Sequence, residues 1–282
     1  MKTGVLELFA INTGKTAGIN WPSVVAEQAC PFLNGKCVKV RKSQPHIAIG
    51  TCTVKYGRED QPVVICPKRL LERKQVFTDC IHLLTLHEPG NEFHVVQEVT
   101  VPGGSVDYFL VSARNGKVRD FSGVELQTVD TTGTLWPERQ RFLAASGLSV
   151  KKSDTRATDG YGMNWKMTAK TILVQLHHKI RTFEGLNKHL VLVTQDRLLD
   201  YMKREFSFAH VRPARLGDPM QIHSYRLKPK GNELRLELAE RISTDADGIS
   251  RCLGLRAEVN MELAQVVAYQ ESKLSKDTLL TL

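Results

Sequence analysis

Between residues 93 and 129 the chain can fold in few ways, because three β-forming runs follow one another across very short connections. Phe93-His94-Val95-Val96-Gln97-Glu98-Val99-Thr100-Val101 reads as a strand ended by Pro102-Gly103-Gly104, and Val106 to Val111 reads as a second. Asn115-Gly116 is a strong tight-hairpin signal, since both positions of such a turn require positive φ. Phe121 to Val129 returns as a third strand. Two helical pieces follow within 136–183, the clearer from Met163 to Phe183, with Leu173, Leu176, Ile180 and Phe183 on one face. Lys188 to Thr194 is short and almost wholly apolar, the signature of a strand at the buried centre of a mixed sheet. Gln195 to Phe206 reads as another helix, Gln221 to Leu238 as a hairpin, and Ala257 to Lys273 as a last helix. A β-meander, a helix, a core strand and another helix give an α/β or α+β fold with a mixed sheet flanked by helices.

Acids stand where this pattern calls for apolar residues. Asp107 opens the second strand; Glu125 and Gln127, two apart in the third, share a face, leaving Val124 and Leu126 on the other. Two converging carboxylates make a hard-oxygen site suited to Mg²⁺, with Gln127 able to orient a water or a phosphate oxygen. A two-residue turn at Asn115-Gly116 sets Asp107 opposite Val124. Facing Asp107 and Glu125 therefore requires one extra residue, expected as a bulge at Gly116 or Gly123. The same spacing also fits an ordinary hairpin with three solvent-facing polar residues.

The chain carries 39 Lys and Arg against 30 Asp and Glu, a net charge of +9, which favours polyanionic partners, nucleic acid first. Five of the six cysteines, Cys30, Cys37, Cys52, Cys66 and Cys80, fall in the first 80 residues; Cys252 stands apart. Clustered thiols in a reducing compartment suggest metal ligation, and residues 1–85 read as a small loop-rich module that such a metal would staple. Residues 86–282 form the remainder. Asn12-Thr13-Gly14-Lys15-Thr16 looks like the end of a phosphate-binding loop, but Phe9 stands where the motif requires glycine, so that reading is rejected. No apolar stretch has membrane-spanning length and no secretion signal is evident, which points to the cytoplasm.

Asp107, the hairpin, Glu125-Leu126-Gln127 and the following helix resemble the PD-(D/E)XK nuclease core in its Glu-x-Gln version, with Gln127 where lysine is usual. Cys30-Pro31-Phe32, Cys37 to Ser43, Ile49-Gly50-Thr51-Cys52 and Ile65-Cys66-Pro67 resemble the cysteine-rich head of NotI-like restriction endonucleases; the resemblance covers about residues 25–205. It implies a restriction-endonuclease-like core with a small N-terminal four-cysteine module. It implies structural iron or zinc on Cys30, Cys37, Cys52 and Cys66, with Cys80 in reserve. It also implies catalytic Mg²⁺ on Asp107 and Glu125, aided by Gln127 and by Glu98 from the upstream strand. The activity implied is that of a type II restriction endonuclease: hydrolysis of both strands of duplex DNA by water at the Asp107/Glu125 site, leaving a 5′-phosphate. Its partners would be duplex DNA in the prokaryotic nucleoid and a second copy of the chain, since a palindromic site matches a two-fold dimer. Lys39, Arg41, Lys42, Lys68 and Arg69 are the candidate DNA contacts. Two alternatives stay open: a metal-stabilised DNA-binding regulator without catalysis, and a structure-specific repair or mobile-element nuclease.

Overall fold

The computed structural model describes residues 4–15, 17–156, 160–255 and 263–273. Its centre is a seven-stranded mixed sheet. Strands β4 (Glu92–Val101), β5 (Gly104–Arg114) and β6 (Lys117–Gln127) form the antiparallel meander. Strand β7 (His189–Gln195) lies parallel to β6, and β8 (Met220–Lys230) lies parallel to β7. The hairpin partner β9 (Glu233–Thr244) and a short piece at Arg212–Pro213 complete that edge, and β4 forms the other. Every residue of β7 is buried, as its apolar run requires of a central parallel strand.

Helices cover one face. Helix α3 (Trp165–Gly185) lays Ala169, Ile172, Leu173, Leu176, Ile180 and Phe183 against Phe109 and Val111 of β5 and Leu190 and Leu192 of β7. Helices α4 (Asp196–Glu205) and α5 (Ala246–Cys252) add Leu198, Leu199, Met202 and Ile249 to the same core, where Cys252 is also packed. The expected last helix is seen at Leu263–Glu271; its expected start, 257–262, lies outside the described residues.

The N-terminal segment builds a second, four-stranded sheet from β1 (Val5–Leu8), β2 (Thr51–Tyr56), β3 (Gln61–Val64) and the short Ile11–Asn12. Helix α1 (Trp21–Glu27) and helix α2 (Trp136–Ala145) flank it, with the Trp21 and Phe142 rings edge to face at 4.8 Å. The segment does not keep its core to itself. Val64, Leu70, Leu71, Val76, Phe77, Cys80, Leu83 and Leu84 pack on the second face of the large sheet, against Tyr108, Leu110, Val124, Leu126, Val191, Val193 and Tyr225. No helix among the described residues is long and apolar enough to cross a membrane.

Candidate active site

The β5–β6 hairpin turns at Asn115 (φ 53°) and Gly116 (φ 72°), so glycine at 116 is spent on the turn. The ladder runs Arg114↔Lys117 and Ala113↔Val118, then resumes at Ser112↔Asp120, leaving Arg119 as the extra residue. The bulge therefore lies at Arg119, not at Gly116 or Gly123. Gly123 has a different constraint: a Cβ there would lie 2.5 Å from the Phe183 ring, so its role is close packing of α3. Beyond the bulge the pairing runs to Tyr108↔Val124, and one more step puts Asp107 opposite Glu125. The extra residue turns the two acids to the same face.

Asp107 is held across the strands. Its Oδ2 accepts the Leu126 N–H at 2.8 Å, and the side chain stays half-buried. Glu125 is 4% exposed, and its Oε1 accepts from Lys179 Nζ at 2.6 Å. Burial pushes the Glu125 carboxyl up to about 7; the Lys179 ammonium opposes this and the Asp107 charge adds to it. The two carboxylates thus feel each other, with an ammonium against one of them. Lys179 had a signal in the sequence: it lies three residues after Leu176 and four before Phe183, a charge inside the apolar stripe of α3. Such a lysine is buried only with a carboxylate to meet it.

The other proposed site residues lie as follows. Gln127 shares the face of Glu125 and turns its Nε2 to the Thr128 carbonyl at 2.7 Å. Glu98 falls in register opposite Asp107, flanked by the pairs Val99↔Val106 and Gln97↔Tyr108. Its backbone is left-handed (φ 51°) and its side chain is exposed, so it does not join the pair. Among the described residues no three His, Cys, Asp or Glu side chains gather closely enough to hold a metal ion.

Of the four proposed cysteine ligands, burial raises the Cys30 thiol, with smaller additions from Cys37 and Cys66, and burial raises Cys52, with a smaller addition from Cys66. As they stand, the four are not gathered into a metal-holding group. Cys80 sits elsewhere, 3.8 Å from His223 Nδ1. That pair has the geometry of a thiol and its base but not the electrostatics. Burial pushes Cys80 up to about 12 and His223 down to about 3, which keeps both neutral and leaves no thiolate to attack.

Of the basic candidates, Arg69 requires correction. It is 2% exposed and bound to Glu7 (2.9 Å), Glu72 (2.8 Å) and the Leu234 carbonyl (2.8 Å), so it cannot meet DNA. Lys68 donates to the Tyr108 hydroxyl and Lys39 to the Ile65 carbonyl. Arg41 lies over the Trp136 ring, and Lys42 is exposed. Compared with known proteins, the chain matches no protein-family model and no curated protein.

Proposed function

We propose that the chain is a Mg²⁺-dependent DNA-cleaving enzyme of the PD-(D/E)XK kind, a type II restriction endonuclease. The observation that carries this reading is the facing of Asp107 and Glu125 on adjacent strands, with the Lys179 ammonium 2.6 Å from Glu125. The order of meander, helix and parallel strand supports it.

Asp107 and Glu125 would hold the ion, and their donor chemistry fits it: two hard carboxylates on one face, one of them fixed by a backbone N–H. When bound, Mg²⁺ supplies charge neutralisation at the scissile phosphate and a lowered pKa for water. The chain's own residues prepare the site. Leu126 N–H fixes Asp107, and Lys179 favours the ionised form of Glu125 against the burial that protonates it. Lys179 also brings the positive charge that Gln127 does not. Structural iron or zinc on Cys30, Cys37, Cys52 and Cys66 belongs to the same reading; the four thiols are not gathered as they stand and would have to close into a tetrahedral shell to hold it.

A phage-DNA digest tests the activity. Discrete fragments with Mg²⁺, absent with EDTA and absent with Glu125→Ala protein, are expected. A smear in place of bands would favour structure-specific cutting. The regulator reading draws on the 4% exposure of Glu125, which also suits a purely structural ion pair with Lys179. Sequence-specific binding with no cleavage in Mg²⁺ or Mn²⁺ would establish it instead.

A further inference from the structure

A second cleft lies away from the acid pair, between the segment around Arg41 and the face of α2 with the loop that follows it. Arg41, Ser43, Trp136, Arg139, Lys151 and Ser153 line it. Both arginines address one aromatic ring: the guanidinium carbons of Arg41 and Arg139 lie 4.4 and 4.8 Å from the Trp136 centroid. Arg139 is the unusual member. It is 2% exposed, its Nε donates to the Ile49 carbonyl and its Nη1 to Gln140, and its Nη2 is buried without a partner. No carboxylate among the described residues pairs with it. A buried guanidinium with an unspent donor and no carboxylate partner is costly, Cys37 being the one neighbour whose charge would oppose that cost, and an anion in the cleft would supply the missing negative charge.

The lining says which anion. Three cations stand against one acid, Asp154, which lies 3.7 Å from Arg41 and offsets part of that charge. Serine hydroxyls and arginine and lysine donors approach from different segments of the chain, a set that suits an anion with several acceptor oxygens more than a planar carboxylate. We propose that this cleft binds a phosphate group, with Arg139 as its buried anchor and Arg41 and Lys151 as its rim. Arg41 is also a candidate DNA contact of the nuclease reading, but the observation that carries the site, the buried and unpartnered Nη2 of Arg139, does not depend on that reading.

Inorganic phosphate, titrated into the full chain by calorimetry and followed by tryptophan fluorescence, tests it. One saturable site is expected, with affinity about ten-fold weaker in Lys151→Glu and in Arg41→Ala, the loss of one charge-assisted contact. Lys151 is exposed, so its substitution leaves the fold intact even if Arg139→Gln does not fold. Competition by a short DNA duplex separates the sources. Displacement of bound phosphate assigns the site to a nucleic-acid backbone, and its absence to a small phosphate ester; both support the site. No saturable binding by roughly 10 mM phosphate, or unchanged affinity in both rim variants, overturns the proposal.

Discussion

At 2% exposure, the Arg69 guanidinium keeps its charge because carboxylates surround it. Glu7 takes its Nε and Glu72 its Nη1, while Glu72 also receives Arg235 at 2.6 Å and the Leu236 N–H at 2.8 Å. Replacing Arg69 with Met leaves Glu7 and Glu72 buried with less compensation. The expected loss is about 3–5 kcal/mol, read from denaturant unfolding. Glu125 obeys the same physics with the opposite sign. Its carboxyl is raised to about 7, so below that pH a proton occupies the group that the proposed Mg²⁺ would need. Mg²⁺ affinity should therefore fall about ten-fold per pH unit below 7 and level off above it, with one proton released per ion bound at acid pH. Lys179→Met removes the charge that opposes burial. The midpoint should then move to higher pH, and calorimetry in two buffers of different ionisation heat measures both effects. An unshifted midpoint would show that Lys179 does not set the ionisation of Glu125.

Between elements, the contact that matters most for the acid pair is α3 against β6. Gly123 admits the Phe183 ring to 2.5 Å of where a Cβ would be, two residues before Glu125. Gly123→Ala is expected to cost about 1–3 kcal/mol by overpacking, and much less in a Phe183→Ala background. A double-mutant cycle on unfolding free energies checks the coupling. The elements themselves were legible because each had a signal to read: β-forming runs bounded by Pro102-Gly103-Gly104 and Asn115-Gly116 in β4 and β5, three-four spacing in α3, an unbroken apolar run in β7. The bulge at Arg119 was legible only as a count. The parity of the hairpin demands one extra residue, and glycines draw attention to themselves, but Gly116 is consumed by the turn and Gly123 by Phe183. An exposed Arg with no packing duty was free to take the place. Lys179 was missed because the apolar stripe was read without the charge inside it. Arg69 was misplaced because a run of Lys and Arg looks alike in sequence whether it faces water or Glu7, a partner 62 residues away in the chain.

Across the whole molecule, the acid hairpin depends on the N-terminal segment. Asp107 and Glu125 face α3, while Tyr108, Val124 and Leu126, the residues beside them, point into the core that Leu70, Leu71, Val76, Phe77, Leu83 and Leu84 close. Removing residues 1–85 would return these side chains to water, at roughly 1.5–3 kcal/mol for each large one uncovered, which exceeds the stability of an ordinary domain when summed. It would also strip Arg235 and Leu236 of Glu72, and Tyr225 of Asp79, whose Oδ2 accepts its hydroxyl at 2.7 Å. A fragment of residues 86–282 is therefore expected not to unfold cooperatively, and to show slowly relaxing, dye-binding aggregates in place of a sharp thermal transition. Co-expression of residues 1–85 as a separate chain should restore the transition, because the lost contacts are packing and hydrogen bonds that need no covalent link. A fragment that melts sharply alone would show that the large sheet carries its own closing layer. The hairpin could then be studied without the five N-terminal cysteines, and the metal proposed for four of them would be an addition to the fold instead of part of what holds the acids in place.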